Sequence, residues 1–189
     1  MSIFDKIRNN NQSQAPAQST FDKSQTSVTF TFNALPESLA QMQAMPEASL
    51  DTPFKAAALT LCALCAYAAE PSIGIEMINF LRGPGGPMSN YDLSFLKDRF
   101  SDAGVYIPFS YFAGATPQND YTPSEPFTFT FRAGPYAYQN EGYAKLDITS
   151  GGADSPRQIS LRQKGNQWFL DQQFLMVGVR KPKCLDPWA

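Results

Sequence analysis

A chain of 189 residues with 15 Lys and Arg against 17 Asp and Glu carries a net charge of -2. It is long enough for one domain with a real core, and it lacks the basic surplus that nucleic-acid binding requires. It contains no histidine, which removes Ser-His and Cys-His nucleophile activation, His-ligated metals and the commonest general base.

The N-terminus carries Asp5 and no long apolar run, unlike a secretory signal. Residues 2–8, SIFDKIR, put Ile3, Phe4 and Ile7 on one side of a short amphipathic turn. Such a turn could touch a membrane surface, and a frayed chain end is the alternative. The polar run at 9–19 reads as a disordered linker, so residues 1–26 are set apart from a single domain expected over 27–189.

Order is expected from Ser27, where Val28, Phe30 and Phe32 alternate with Thr29 and Thr31 as a half-buried strand requires. Leu35-Pro36-Glu37-Ser38 opens a short helix bearing Leu39 and Met42, closed by Pro46. The stretch that organises the chain follows, DTPFKAAALTLCALCAYAAE from Asp51 to Glu70. Asp51 or Thr52 can cap it, Pro53 suits its first position, and Lys55 is the only charge between Phe54 and Ala69. A helix apolar around its whole circumference is buried on all sides. It is too short and too rich in alanine for a membrane span. Cys62 and Cys65 have redox-motif spacing, but they lie well inside this helix, away from the N-terminal dipole that activates a thiol, and read as packing. With only Cys184 besides them, they argue against a disulfide framework or closed zinc site, and for a reducing, cytoplasmic compartment. No metal and no cofactor is expected.

A second helix is predicted over 71–81 with Ile75, Ile78 and Met77 inward, stopped by the glycine-rich loop after Arg82. That loop has no Lys-Ser/Thr ending and follows a helix, which sets it apart from a phosphate-binding loop. Ser89 and Asp92 form a capping-box-like pair at the head of a third helix whose inward face is Leu93, Leu96 and Phe100. From Val105 the period becomes that of strands, predicted over 105–112, 127–132, 143–150, 157–163 and 167–174, with Lys164-Gly165-Asn166 as a tight hairpin turn. Phe174 is expected inward with Trp168 and Leu170. Val28-Thr-Phe-Thr-Phe32 and Phe127-Thr-Phe-Thr-Phe131 echo one another, by duplication or by shared strand propensity. The fold class is therefore α+β: an N-terminal strand, three to four helices including one fully buried, then a C-terminal antiparallel meander.

Several motifs occur together: Leu35-Pro36-Glu37-Ser38, Pro53-Phe54-Lys55-Ala56-Ala57, Gly114-Ala115-Thr116-Pro117, Tyr121-Thr122-Pro123-Ser124-Glu125-Pro126, Gly142-Tyr143-Ala144-Lys145, Ala153-Asp154-Ser155-Pro156-Arg157, the run from Lys164 to Leu170, and Asp186-Pro187-Trp188-Ala189. As a set they resemble a family of uncharacterised small cytosolic proteins of clostridia and related gut Firmicutes. The resemblance covers most of the chain from about Ser27 and implies membership without any catalytic residue. The last hairpin, with an inward Trp, is also loosely similar to that of cone-shaped α+β folds of the nuclear-transport-factor-2 type, which makes a cone-like sheet one option.

The carboxylates Glu141, Asp147, Asp154 and Asp171 could do acid-base work, but nothing in the spacing places two of them in one pocket. The stronger signal is aromatic. Tyr106, Tyr111, Tyr121, Tyr136, Tyr138 and Tyr143 cluster in loops and strand ends, near Arg132 and Arg157. Tyrosine offers large contact area with a polar tip. Tyr106, Tyr111, Tyr136, Tyr138, Arg157 and Trp168 are thus the candidate ligand- or partner-binding residues, against the alternative that such rings cover a sheet edge; the near-terminal Trp188 poses the same choice. The leading expectation is a non-enzymatic binding or adaptor protein for an unknown protein or small-molecule partner, with no nucleic acid and no transmembrane segment. A small-molecule pocket or enzyme of cone-shaped type is the alternative, and membrane-surface contact through residues 2–8 is a third.

Overall fold

The computed structural model describes residues 21–101 and 103–188; the amphipathic turn at 2–8 and the linker at 9–19 lie outside them. The elements follow in the order β1 (Ser27–Phe32), α1 (Leu39–Gln43), α2 (Pro53–Ala69), α3 (Pro71–Arg82), α4 (Asn90–Ser101), β2 (Phe127–Ala133), β3 (Tyr143–Ile148), β4 (Arg157–Lys164) and β5 (Gln167–Gln173). All five strands form one antiparallel sheet in sequence order. The chain thus adopts the expected α+β architecture, an N-terminal strand and helices followed by a C-terminal meander. No described helix is long and apolar enough to cross a membrane.

The helix α2 begins where backbone chemistry places it. Thr52 Oγ1 accepts from the Lys55 amide at 3.2 Å and Pro53 occupies the first turn, while Lys55 Nζ lies 2.9 Å from Asp51 Oδ1. Every residue from Ala56 to Tyr67 is buried, because α2 is packed against α3 on one side and against β2, β3, β4 and β5 on another. Fully burying each of Leu59, Leu61 and Leu64 contributes about 1.5–3 kcal/mol. Small residues set the spacing between the two helices. A Cβ on Gly74 of α3 would lie 2.4 Å from the Tyr67 Cα, so that crossing requires glycine.

The sheet explains the echo between the two Phe/Thr stretches. β1 and β2 are direct partners, with Val28 opposite Phe131, Phe30 opposite Phe129 and Phe32 opposite Phe127. Their phenylalanines share the core side, where the Phe30 and Phe129 rings are 5.7 Å apart. Their threonines share the open side, where the Thr29 and Thr130 hydroxyls bond at 2.7 Å. The repetition forms the cross-strand ladder of one pair. The hairpin between β4 and β5 is also as expected. Lys164 pairs with Gln167, and Gly165 takes φ +62° at the first turn position.

One predicted strand is absent. Residues 105–112 fold instead as two 3-10 turns, Gly104–Tyr106 and Pro108–Tyr111. Pro108 has no amide to give a sheet ladder and presets a turn conformation; the Ser110 amide bonds back to the Ile107 carbonyl at 3.1 Å and its hydroxyl to the same oxygen at 2.7 Å. Ile107, Pro108, Tyr111 and Phe112 are buried by winding rather than by alternation, and Val105 is left exposed.

Candidate functional site

The sequence-selected aromatic residues fall into two groups, and the first holds down the chain that follows β5. Tyr111 Oη donates to the Leu175 carbonyl, Arg157 Nε to Val177 at 2.7 Å, Arg157 Nη2 to Gly178 at 2.6 Å, Tyr106 Oη to Val179 at 3.4 Å and Tyr121 Oη to Arg180 at 2.8 Å. These donors come from distant parts of the sequence and satisfy the carbonyls of one irregular strap, which otherwise has no ladder to join. The Tyr106 and Tyr121 rings stack 5.2 Å apart at 11°. Burial raises the Tyr111 hydroxyl well above its ordinary range and pushes that of Tyr121 up to about 12, as expected of phenols kept neutral as donors.

The second group lies around Phe21. Trp168 is 1 % exposed, and its ring meets Phe21 at 6.3 Å, while Tyr138 meets Phe21 at 5.8 Å. Trp168 Nε1 and Tyr138 Oη have no hydrogen-bond partner among the described residues, and burial pushes the Tyr138 hydroxyl up to about 12. Tyr136, by contrast, is 76 % exposed and Trp188 93 %. The structure therefore brings Tyr106, Tyr111 and Arg157 together at the strap and Tyr138 and Trp168 together under Phe21, and leaves Tyr136 apart in solvent.

A groove of about 320 Å³ lies elsewhere, between α3, α4 and β5. Ile78, Leu96 and Leu170 line its floor, over the fully buried Thr60 and Leu64 of α2, and Tyr91, Phe95 and Phe174 supply aromatic rings. Tyr91 is 79 % exposed and Phe174 47 %, so both rings stand open to a ligand. Three charged side chains, Arg82, Asp92 and Asp171, share the lining.

Each charge has a local reason for its position. Asp92 heads α4: its Oδ2 accepts from the Ser89 amide at 2.9 Å and hydroxyl at 2.8 Å, and its own amide donates to Ser89 Oγ at 3.2 Å. This is the capping pair read from the sequence. Arg82, at the end of α3, donates from Nε to the Gly86 carbonyl at 3.0 Å and lies 3.7 Å from Asp92 through Nη1. Asp171 is positioned by a β-bulge. Leu161 pairs with Leu170 but Ser160 with Gln172, so Asp171 is the extra residue; its Oδ2 accepts from Ser160 Oγ at 3.2 Å. The same slip exchanges the faces of β5 beyond it. Phe174, expected inward, is turned out to the groove.

Asp92 is thus committed to the helix cap and to Arg82, whereas Asp171 has no ion-pair partner among the described residues. Among the lining side chains two carboxylates stand against one guanidinium. The Phe95 ring already carries the Arg99 guanidinium 5.1 Å from its centroid, which leaves Tyr91 and Phe174 as the open aromatic faces beside Asp171, an arrangement that attracts an organic cation. The other carboxylates considered for acid-base chemistry lie outside the groove lining: Asp147 accepts from Gln158 at 3.3 Å and Asp154 from Arg180 at 2.9 Å. Of the groove residues, only Asp171 stood among the sequence candidates for chemistry. The available signal was the run Trp168-Phe-Leu-Asp-Gln-Gln-Phe174, whose apolar alternation fails at Gln172, directly after Asp171.

No curated protein and no solved structure matches the chain. A family model does match, over residues 34–183, a span that takes in α1 to α4, β2 to β5, the groove and the strap. The chain belongs to the family described as domain of unknown function (DUF6935).

Proposed function

We propose that this is a non-enzymatic binding domain whose groove between α3, α4 and β5 holds an organic cation, an ammonium or guanidinium group on an apolar or aromatic body. The observation that carries this reading is the bulged Asp171, a carboxylate without an ion-pair partner among the described residues, in one lining with the exposed rings of Tyr91 and Phe174. An apolar floor with a few placed polar groups is the usual build of a small-ligand site. The cation would sit against the Tyr91 and Phe174 rings and Asp171, and its apolar body against Ile78 and Leu170. A free amine and a lysine or arginine side chain of a partner protein present the same chemistry. Partner recognition through Tyr136 and Trp188 is a second reading, favoured by their exposures of 76 % and 93 %. A cytoplasmic location, supported by three unpaired cysteines, a clostridial or gut-Firmicutes source, and a single domain from Ser27 onward complete the proposal.

A thermal-shift screen of aryl-alkyl ammonium compounds against their neutral amide isosteres tests it, since a ligand that binds only the folded state raises Tm. The expected result is a concentration-dependent rise for the ammonium set that Asp171→Asn removes. Equal shifts for the neutral set, or none for either, would contradict the reading.

A further inference from the structure

The sheet has a second feature, independent of the groove and at its opposite end. β1 is the terminal strand beside β2. Thr26 accepts from the Ala133 amide at 2.8 Å, and hydrogen bonding in an antiparallel pair alternates with a period of two. Val28, Phe30 and Phe32 therefore direct their backbone groups to β2, while Ser27, Thr29 and Thr31 direct theirs outward. Among the described residues those outward amides and carbonyls have no hydrogen-bond partner.

Natural sheets guard such an edge with lysine, proline, a bulge or inward-pointing charge. β1 has none of these. No charged residue lies between Lys23 and Glu37, no proline lies between Lys23 and Pro36, and the pairing with β2 runs without a register shift. Val28 and Phe32 on its core side are only half-buried.

The pattern of β1 also defines what fits beside it. On its inner edge it takes Phe127-Thr-Phe-Thr-Phe131 antiparallel, phenylalanine against phenylalanine and threonine against threonine. Val28-Thr-Phe-Thr-Phe32 is nearly that same sequence, so a second β1 run antiparallel to the first reproduces the ladder on the outer edge. With a two-fold axis at Phe30, Thr29 faces Thr31 of the other copy, their outward backbone groups exchange hydrogen bonds, and Val28 covers Phe32.

We infer that two copies of this chain associate edge to edge through β1, with Phe30 on the two-fold axis, joining their sheets into one. The contact is a short strand pair, so the dimer is concentration-dependent. It is tested on the full chain by light scattering across a dilution series, where the expected mass rises toward twice the 20.9 kDa of the monomer. Thr29→Lys with Thr31→Lys places like charges opposite one another only in the dimer. It should give a folded monomer, with Tm lowered only as far as in a Thr29→Val, Thr31→Val control that loses the same hydroxyl contacts to Thr130 and Thr128, and mixing with the chain carrying Thr29→Glu and Thr31→Glu should restore a mixed dimer. A readout without substitutions is amide hydrogen exchange. The Thr29 and Thr31 amides should gain protection with concentration, while those of Phe30 and Phe32 stay protected throughout. A full chain that remains monomeric, a dimer indifferent to the lysines, or Thr29 and Thr31 amides protected equally at every concentration, as when residues 1–20 or another strand cover the edge, would overturn the inference.

Discussion

Ser160 and Asp171 are hydrogen-bonded across β4 and β5 at 3.2 Å, although the strand register pairs Ser160 with Gln172. One extra residue thus places a carboxylate in the groove that Phe174 also lines. Asp171→Asn retains an acceptor for Ser160 and removes only the charge, so it should change stability by less than about 0.5 kcal/mol in urea denaturation. Deleting residue 171 restores a regular ladder with Gln172 still opposite Ser160 and Gln173 opposite Ile159, so it should remove the carboxylate while leaving the solvent accessibility of Phe174 unchanged in footprinting.

The strap after β5 depends on donors contributed by other elements. Tyr111→Phe leaves the Leu175 carbonyl without its donor in a buried setting and should cost about 1–3 kcal/mol. Arg157→Ala removes the bonds to Val177 and Gly178 together. It should open the strap locally before global unfolding, seen as new cleavage near 177–180 in limited proteolysis while α2 keeps its amide protection.

The three thiols should separate cleanly by reactivity. Cys62 and Cys65 are buried in α2, and burial pushes Cys62 up to about 12 and Cys65 well above the ordinary range. Cys184 is exposed, with a thiol raised more modestly by its hydrogen bond to Asp120. Reactivity follows the thiolate, so under native conditions a thiol reagent should modify Cys184 alone, and all three cysteines only after denaturation.

Alkaline pH should weaken the fold through its buried phenols. The hydroxyls of Tyr111, Tyr121 and Tyr138 are raised above the ordinary 10.0 by burial, the latter two to about 12. A raised folded value favours the neutral form, so this stabilisation is complete below pH 10 and is lost above it, as the unfolded chain gives up protons that the folded chain retains. Urea denaturation should show a falling midpoint from about pH 10 to 12, with a shallower fall in Tyr111→Phe.

Much of the fold was legible because it rests on local periodicity. The all-apolar run of α2, the cap at Thr52, the Ser89–Asp92 pair and the Gly165 hairpin each carry their cause within a few residues. The segment at 105–112 was misread because burial by a 3-10 winding and burial by a strand select the same apolar residues, and Pro108 was the one dissenting signal. The sequence pointed to the tyrosines as recognition residues, whereas Tyr106, Tyr111 and Tyr121 bond carbonyls 59 to 73 residues away within the fold, which spacing does not encode. The groove escaped for a related reason. Its charges sit at the end of α3, the head of α4 and a bulge in β5, three places that become neighbours only when the helices lie beside the last strand.

The central claim is that the groove binds a cation through Asp171 and its aromatic rim. It is tested most directly by an NMR titration of the full chain with phenethylammonium. The amides of Tyr91, Phe95, Asp171 and Phe174 should shift together and saturably. Asp171→Asn and Tyr91→Ala should each weaken binding by about 2- to 30-fold, the range of a cation–π or exposed charge contact. Shifts confined to other surfaces, or a titration unchanged in both variants, would contradict it.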